Sequence, residues 1–350
     1  LGLHVIELDS GDVSRISTGT RREQIEASFS PDGNWLAFTE EQENYHRELK
    51  LHNFSTGQST TVTDGAADVA APAFSRDGAY LFFAASTNSG PTQVGLNMTS
   101  QERPYRAGLY AIVLAADGKS PLLPESGDEE GQSATEEDED EEGAEDQVEE
   151  TRIDLDGIGS RIVALQVAER NYGSLAAGDD GNLYFIQFVQ PGGSNEPPGE
   201  NANSENALMR FDFEEKETKS LLSGVNDFAI SADGKFMIIA KTDDSIVTAE
   251  IGDELEPEPL KLDGVRVRVN PRDEWAMIFD EAWRMEKEFF YDPNLHGLDW
   301  EAVYEQYRPL VDHVGRREDL TALIVEMIAE MQAGHNRTGG GDVHRESGAN

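Results

Sequence analysis

The histidines near the C-terminal end of the chain are the residues whose chemistry is easiest to name. His335 follows Gly334 directly, just past a segment with helical periodicity, and His344 lies nine residues further on. An unperturbed imidazole titrates at about pH 6.5, so a neutral histidine in such a place could accept a proton from a hydroxyl group. A lone histidine beside a glycine is also typical of a helix cap or a surface residue. From the residues alone, both interpretations stay open.

Metal and cofactor chemistry finds little support in the sequence. The spacing of His335 and His344 matches no common zinc motif, and the glycines between them provide no rigidity. The repeated Asp-Gly pairs lack the dense oxygen ligands of a calcium loop, and no lysine follows the triple glycine at 339–341, as a phosphate loop requires. The chain has no cysteine, which excludes disulfides and zinc–thiolate sites within it. We therefore expect no metal and no cofactor.

A nucleophile is not evident either. Ser160, Ser174 and Ser231 are candidates by residue type, but none lies in a Gly-x-Ser-x-Gly elbow, and Ser231 belongs to a repeated turn. The absence of cysteine also excludes a thiol nucleophile. His296 lies in a turn between two predicted helices, and we interpret it as structural. We expect no nucleophile in this chain.

One short phrase occurs three times and organises the first part of the chain. It reads Ser-Phe-Ser-Pro-Asp-Gly at 28–33, Ala-Phe-Ser-Arg-Asp-Gly at 73–78 and Ala-Ile-Ser-Ala-Asp-Gly at 229–234, and an apolar run follows each copy. This pattern predicts a strand, a tight turn and a strand, because glycine reaches positive φ without a steric penalty and aspartate hydrogen-bonds its own backbone. The first two copies lie 45 residues apart, the usual length of a four-stranded propeller blade.

The repeat predicts that residues 1–269 form the C-terminal part of a β-propeller, with about four and a half blades. Within it, residues 162–165 are interpreted as part of the fourth blade, ahead of its next strand, and the alternating residues 265–269 as a strand that closes the ring. The run at 125–150 carries many carboxylates and no basic residue. Such a block cannot bury enough apolar surface to fold, so we expect a disordered acidic insertion in a loop at a blade edge.

After Pro271 the hydrophobic period changes from 2 to 3.6, which predicts a small helical module at 270–338. The pattern indicates three helices, at 271–290, 300–308 and 317–332, with Asp299 as the cap of the second and Gly334 as the end of the third. The tryptophans of the module lie at helical spacing, which favours core packing over ligand stacking. The expected fold class is mainly β plus α: a partial β-propeller of four-stranded blades followed by a small helical module.

Charge and hydropathy exclude two classes of partner. The net charge is −41, with 28 basic and 69 acidic residues, so nucleic acid is disfavoured because its phosphates would be repelled. No stretch approaches the roughly 18 apolar residues that a membrane helix needs, so we expect no membrane span. The chain opens as if in the middle of a strand, and we interpret it as a piece of a longer polypeptide.

Two long stretches carry a resemblance to a known family. The words EWAMIFDEAWR at 274–284 and FFYDPNLHGLDW at 289–300 resemble the start of the core region of tricorn-type serine peptidases, within the C-terminal-processing peptidase superfamily. The segments at 307–310 and 333–336, with the glycines at 339–341 and Asp342 behind them, match as well. The blades also resemble the TolB-like propeller that precedes the helical module in this family, so the resemblance covers nearly the whole chain.

The resemblance implies a full-length serine-type peptidase that hydrolyses peptides through an acyl-enzyme, with the propeller as a substrate gate or docking face. It implies that His335 is the general base. The nucleophilic serine, the oxyanion hole and the remaining catalytic partner are then expected downstream, beyond a PDZ-like domain to which residues 339–350 lead. The archaeal prototype has a serine directly before this histidine, where this chain has Gly334, so that role is either dispensed with or filled elsewhere.

Other expectations follow from the same resemblance. The fragment alone is expected to be inactive, and the full protein is expected to form homo-oligomers by analogy with the ring-forming prototype. A cytoplasmic location is expected, or a periplasmic or secreted one if upstream sequence carries a signal peptide. Two other functions stay open: a TolB-like propeller that serves as a binding or scaffold module, and a pseudo-peptidase that keeps the fold without catalysis.

Overall fold

The chain divides into two compact units, Leu1–Lys261 and Leu262–Asn350. A computed structural model describes residues 2–18, 25–88, 105–123, 150–189, 205–252, 254–262 and 264–341. The predicted acidic insertion at 125–150 lies outside the described residues except for Glu150, as does the predicted linker beyond Gly341. The two units are considered separately below.

In its described part, the first unit consists of antiparallel sheets, four with four strands and one with two strands. We call these sheets blades 1 to 5 in chain order. Their strands are β1 (Leu3–Ile6) and β2 (Val13–Ser17) in blade 1; β3 (Ala27–Phe29), β4 (Trp35–Glu41), β5 (Arg47–Asn53) and β6 (Gln58–Thr61) in blade 2; β7 (Asp68–Phe74), β8 (Tyr80–Ser86), β9 (Gly108–Val113) and β10 (Ile162–Ala164) in blade 3; β11 (Tyr172–Ala177), β12 (Leu183–Gln187), β13 (Ala207–Asp212) and β14 (Glu217–Ser223) in blade 4; and β15 (Val225–Ile230), β16 (Phe236–Lys241), β17 (Ile246–Glu250) and β18 (Glu258–Pro259) in blade 5.

Strands that follow each other in a blade also pair with each other, as in a meander. Hydrophobic clusters lie between successive blades: Leu51 of blade 2 shares one with Leu81 of blade 3, and Phe185 of blade 4 shares the next with Leu109 of blade 3. A third cluster joins blade 4 to Met237 of blade 5. The predicted fold class, a partial propeller of four-stranded blades followed by a helical module, is confirmed.

The placement of residues 162–165 differs from the prediction. They were expected in the fourth blade, but β10 is the outer strand of blade 3 and pairs with β9, with Ile162 opposite Ile112. The Arg161 side chain fixes this return, because its Nε donates to the Val113 carbonyl at 2.9 Å and its Nη2 to the Leu114 carbonyl at 3.1 Å. The spacing of strands along the sequence could not predict this pairing, because the acidic run lies between β9 and β10.

The predicted ring-closing strand at 265–269 is wrong. These residues belong to no strand, and Val265, Val267 and Val269 are 63%, 79% and 50% exposed. Blade 5 already ends in β18, where Pro259 pairs with Val247. An alternation of valine and arginine has the period of a strand, but the described residues offer it no sheet edge.

The repeated phrase owes its structure to a serine and an aspartate two residues apart. In the first copy, the Ser30 hydroxyl donates to Asp32 Oδ1 at 2.5 Å and accepts the Trp35 N–H at 2.9 Å. The Ser75 and Ser231 hydroxyls make the same two bonds in the other copies. Gly33, with a φ of 72°, supplies the left-handed residue that closes the turn.

One arginine in the second copy joins three blades. Arg76 follows Ser75 in the turn of blade 3, and its guanidinium donates to the Ala177 carbonyl of blade 4 at 3.2 Å. It also donates to the Ser231 and Ala232 carbonyls, both at 2.7 Å, in the turn of blade 5. Its rigid fork of N–H groups therefore satisfies three carbonyls that no single ammonium group could reach together.

The second unit contains three helices, α1 (Pro271–Phe289), α2 (Trp300–Tyr307) and α3 (Arg317–Ala329), with a 3₁₀ turn at Arg308–His313 between the last two. The Asn270 side chain accepts the Arg272 N–H at the start of α1, and the predicted cap Asp299 accepts the Ala302 N–H at 3.0 Å. The third helix ends at Ala329, three residues earlier than predicted. The predicted boundaries of the first two helices hold to within a residue.

The tryptophans of this unit pack in its core, as predicted. Trp300 is buried, and its indole N–H donates to the Trp283 carbonyl at 3.0 Å. The Trp283 indole donates in return to the Trp300 carbonyl at 2.9 Å, which locks α1 to the start of α2. The fully buried Phe279 of α1 lies in the same hydrophobic cluster as Leu320 of α3.

Replacement of Arg76 tests the three-blade connection. We expect Arg76→Ala to lower the free energy of unfolding by about 2 kcal/mol, because three backbone carbonyls, two of them in part-buried bonds, lose a charged donor. Arg76→Lys should recover less than half of that loss, since the ammonium lacks the fork. Arg152→Ala is the control: the Arg152 side chain that pairs with Asp117 and Asp154 is exposed, so this variant should unfold at nearly the same urea concentration as the parent. Urea denaturation measures all three, and an Arg76→Lys protein as stable as the parent would contradict the role of the fork.

The turn of blade 2 makes stability depend on pH. Burial opposes ionisation of Asp32, but hydrogen bonds from the Ser30 hydroxyl, the Thr151 N–H and Asn34 outweigh it and lower the pKa to about 2. A carboxyl whose folded pKa is depressed contributes stability above its unfolded pKa of about 3.9 and loses it as the pH falls. We expect the stability difference between the parent and Asp32→Asn to shrink from pH 4 to pH 2. Thermal melting across this range measures it, with exposed Asp9→Asn as control; a difference that stays constant would contradict the assignment.

Candidate catalytic histidine

Helix α3 sets the position from which the Gly334–His335 turn departs. Its inner face is buried through Leu320, Ile324 and Met327. Past its end, the Met331 N–H still bonds the Ile328 carbonyl at 3.2 Å, and the Gln332 N–H bonds the Ala329 carbonyl at 3.0 Å. Backbone hydrogen bonds between residues three apart therefore continue beyond the end of α3 as far as Gln332.

Two non-glycine residues in this connection have left-handed backbones. Gln332 has a φ of 53° and His335 a φ of 66°, whereas Gly334, the predicted helix stop, is not left-handed. The left-handed region costs an L residue roughly 1–2 kcal/mol, so residues stay there only where the surroundings hold them. The helix stop was predicted at Gly334, but the left-handed backbone occurs at Gln332 instead. His335, the candidate base, is left-handed as well and therefore carries backbone strain.

The imidazole of His335 is accessible. The residue is exposed, and within the described part of the chain no group is recorded in a hydrogen bond or an ion pair with its ring. The neighbouring Asn336 turns back, and its amide Nδ2 lies 3.8 Å from the sulfur of the buried Met331. The contact between Asn336 and Met331 closes the base of the turn, while the His335 ring remains accessible to an incoming group.

The chain beyond the turn runs back towards the start of α3. A Cβ atom added to Gly341, whose φ is 84°, would lie 2.6 Å from Nε of Arg317, the first residue of α3. The backbone at Gly341 therefore lies against the guanidinium of Arg317, which would have to move if a larger residue stood there. The segment beyond the His335 turn thus approaches the start of α3, whereas Met331 precedes the turn near the end of the same helix.

The other candidate residues do not form a site. The Asp292 carboxylate accepts the backbone N–H groups of His296 and Asn294, both at 3.0 Å, and the His296 ring bonds the Tyr291 hydroxyl, which agrees with the structural interpretation. His344 lies outside the described residues. No group of three or more His, Asp or Glu side chains suited to a metal occurs in the part of the chain that the structure describes.

The three serines considered as nucleophiles have other roles. Ser160 donates to the Gly157 carbonyl at 2.7 Å, Ser174 donates to Asp227 at 3.2 Å, and Ser231 belongs to the turn of blade 5. Each of these three hydroxyls is therefore engaged in a hydrogen bond within or between the blades.

A cavity of about 940 Å³, which no sequence pattern indicated, lies between blades 3 and 4. Its floor is a row of rings, with Phe82 stacked on Phe213 at a centroid distance of 5.5 Å and on Tyr80 at 6.1 Å. Lys119 and Lys216 line it, and burial together with the charge of Asp77 raises the pKa of the Tyr80 phenol. Arg76, Asp77 and Asp179 also line the cavity, so its wall combines aromatic rings with charges of both signs. Concave sites of mixed chemistry are where proteins commonly bind ligands.

Known families match both units of the chain. Residues 1–251 match the family described as the tricorn protease second beta propeller domain, and residues 271–329 match the tricorn protease C1 domain. The chain belongs to the tricorn protease family. It is therefore a peptidase-related protein that contains a propeller. The matched C1 range ends before the Gly334–His335 turn, so it does not itself test the role of His335.

Two curated relatives of the chain are also described as tricorn proteases or tricorn protease homologues. "Tricorn protease homolog 1" of Streptomyces coelicolor is 29% identical over 345 residues, which cover 95% of this chain and 31% of the relative. "Tricorn protease" of Thermoplasma volcanium is 25% identical over 353 residues, covering 96% of this chain and 31% of the relative. The chain thus spans about a third of the length of the curated relatives that it matches.

A solved structure supports the fold. The crystal structure of the tricorn protease superposes with a TM-score of 0.74 at 19% identity, over 95% of this chain and 31% of that chain. Among the residues described here, no helix is long and apolar enough to cross a membrane.

Glycine and alanine substitutions test the left-handed backbone at the candidate site. We expect His335→Gly to be more stable than His335→Ala by about 1 kcal/mol, and the same order at Gln332, because glycine tolerates positive φ and alanine does not. At Ala333, whose φ is not positive, Ala333→Gly should instead lose about 0.5–1 kcal/mol. Urea unfolding followed by tryptophan fluorescence reports on this unit, which holds three of the four tryptophans. Equal stability of the two His335 variants would contradict the strained turn.

Proposed function

We propose that this chain is part of a serine-type peptidase in which His335 is the general base. The observation that carries the proposal is the accessible imidazole of His335, held on a strained turn at the end of α3 in a member of the tricorn protease family. Perturbed backbone conformations that persist in a folded protein cluster at functional sites. The resemblance of the flanking segments at 333–336 and 339–342 to the family's motif supports the same role, although Gly334 departs from it.

The chemistry assigned to His335 is a double proton transfer. Its neutral imidazole takes the proton of a serine hydroxyl while the oxygen attacks the carbonyl carbon of the peptide bond. The imidazolium then gives this proton to the leaving amine as the C–N bond breaks, which leaves an acyl-enzyme. Water, deprotonated by the same imidazole, releases the acyl group and restores the serine. By the family resemblance the serine, the oxyanion hole and the remaining catalytic partner belong to downstream sequence.

Gly334, the residue before His335, limits the groups that can orient the imidazole. Gly334 carries no hydroxyl that could assist His335, and nothing lies within 4 Å of a Cβ atom placed on it. The direction of the ring must then come from the backbone of the turn and from groups outside the described residues. This makes the left-handed φ of His335 part of the proposed mechanism, because it fixes the Cα–Cβ direction without a side-chain partner.

The propeller is assigned the role of a docking face or gate for peptide substrates. The cavity between blades 3 and 4 supports this role, because its aromatic floor could hold an apolar side chain while Lys119 and Lys216 meet a carboxylate. Homo-oligomer formation and a cytoplasmic location belong to the same proposal by analogy with the family.

Kinetics of the full-length protein test the role of His335. We expect His335→Ala to lower kcat on a fluorogenic peptide at least about a thousandfold, because the serine loses its proton acceptor. His313→Ala, an exposed histidine of the same unit at the end of the 3₁₀ turn, should leave kcat unchanged and serves as the control. The isolated 350-residue chain should show no turnover. Full activity of His335→Ala would reject the base assignment, and a parent protein without any activity would favour a pseudo-peptidase.

A further inference from the structure

The bond between the Tyr307 hydroxyl and Glu330 points to a role in catalysis by the proposed site. We propose that Tyr307 is a positioning residue for His335, acting through Glu330 to hold the end of helix α3. This inference rests on the proposed function of His335 and adds Tyr307, to which the sequence pattern assigned no role. The hydroxyl donates to Glu330 Oε1 at 2.8 Å, across 23 residues of sequence.

The position of this bond is what gives it influence over the turn. Tyr307 is the last residue of α2 and is 9% exposed, so its ring is fixed in the core of the unit. Glu330 follows the last residue of α3 directly and lies five residues before His335. The bond therefore joins the end of one helix to the point where the connection to the candidate base begins.

The helix dipole does not explain why the Glu330 carboxylate lies at the C-terminal end of α3. The C-terminal end of a helix carries a partial negative charge, which disfavours acidic side chains in the last turn. α3 has no basic residue in its last turn, and Glu326 adds a second carboxylate near Tyr307. The hydrogen bond from the Tyr307 hydroxyl compensates for this unfavourable placement of Glu330. A residue that breaks a local rule and is compensated by another is expected where its position serves function more than stability.

The hydroxyl remains a donor across the working range of pH. Burial, together with the Glu330 and Glu326 carboxylates, raises the pKa of Tyr307 to about 12. The phenol is therefore protonated at any pH at which a histidine serves as a base, and the bond does not switch with the titration of the imidazole.

A second contact carries the constraint from Glu330 to the turn. Met331 follows Glu330 and is 2% exposed, and its sulfur receives the Asn336 amide at 3.8 Å. The short loop between Met331 and Asn336 contains both left-handed residues, Gln332 and His335. If the Tyr307–Glu330 bond is lost, the base of this loop can fray with the last turn of α3, and the imidazole samples a wider range of directions. A small loss of alignment between reacting groups is enough to slow the chemical step.

The test uses the full-length protein and four variants. We expect Tyr307→Phe and Glu330→Ala each to lower kcat about tenfold, with KM within about twofold of the parent, because alignment of the base affects the chemical step and not peptide binding. Glu330→Gln should keep kcat near the parent value, since its amide oxygen still accepts the Tyr307 hydroxyl. This rescue by the conservative variant is not expected from a role that depends on the charge of Glu330.

Tyr304→Phe is the matched control. The Tyr304 hydroxyl donates to Asp280 Oδ1 at 2.9 Å, so it is a bond of the same kind in the same helix, but it joins α2 to α1 and not to α3. We expect it to lower the melting temperature about as much as Tyr307→Phe does, with kcat unchanged. If Tyr307→Phe fails to fold, Glu330→Ala, which removes an exposed side chain, tests the same bond without touching the core.

Three outcomes distinguish failure of this inference from failure of the proposed function. Unchanged kcat in Tyr307→Phe and Glu330→Ala, while His335→Ala is inactive, would overturn the positioning role alone and leave Tyr307 as a structural residue. Equal losses of kcat in Tyr304→Phe and Tyr307→Phe would overturn it as well, because a general loss of stability would then explain both. Activity that survives His335→Ala would reject the base assignment on which the inference rests.

Discussion

The first unit depends on one constraint: an inner blade of the propeller has two faces, and each must be buried against a neighbouring blade. This is why β8 is buried almost from end to end and why apolar runs follow the turns of the repeat. Sheets packed in this way leave their turns as the place where polar contacts between blades can form. Asp32 accepts the Thr151 N–H at 2.9 Å there, and Arg76 reaches the turns of two further blades. The repeated turn is therefore both a local structure and the means by which one blade is fastened to the next.

The second unit solves a different problem, because three short helices must form a core without a sheet to organise them. The reciprocal indole bonds of Trp283 and Trp300 fix one pair of elements, and the Tyr307–Glu330 bond fixes another. Around them, the buried Phe279 and the inner face of α3 supply the apolar contacts. Because each of these bonds joins residues that are far apart in sequence, the unit is held by a few long-range polar contacts as much as by helix propensity.

Sequence patterns predicted the parts of this structure that local rules govern. The serine, aspartate and glycine of the repeat are sufficient to define a turn, and Asn270, Pro271 and Asp299 are sufficient to start two helices. The errors came where a long-range partner decides the outcome. Residues 265–269 alternate like a strand but have no sheet edge in the described structure, and residues 162–164 return to blade 3 across the acidic run. Arg76 and Tyr307 were missed for the same reason, because their partners are separated from them in sequence by up to 156 and by 23 residues. At the candidate site, the position of His335 could be named from the motif, but its left-handed backbone could not.

The His335 turn shows how an exposed histidine, here the candidate base, can still be held in a fixed direction. A general base must be reachable by its substrate, and a side chain in an exposed turn is usually free to move. Gly334, directly before it, adds backbone freedom and no side chain that could restrain the ring. The restraint must therefore come from both flanks: buried Met331 and the Tyr307–Glu330 bond on one side, Asn336 and the approach of Gly341 to Arg317 on the other. These contacts on both flanks limit the directions that the backbone at His335 can take, so an accessible imidazole does not require a mobile backbone.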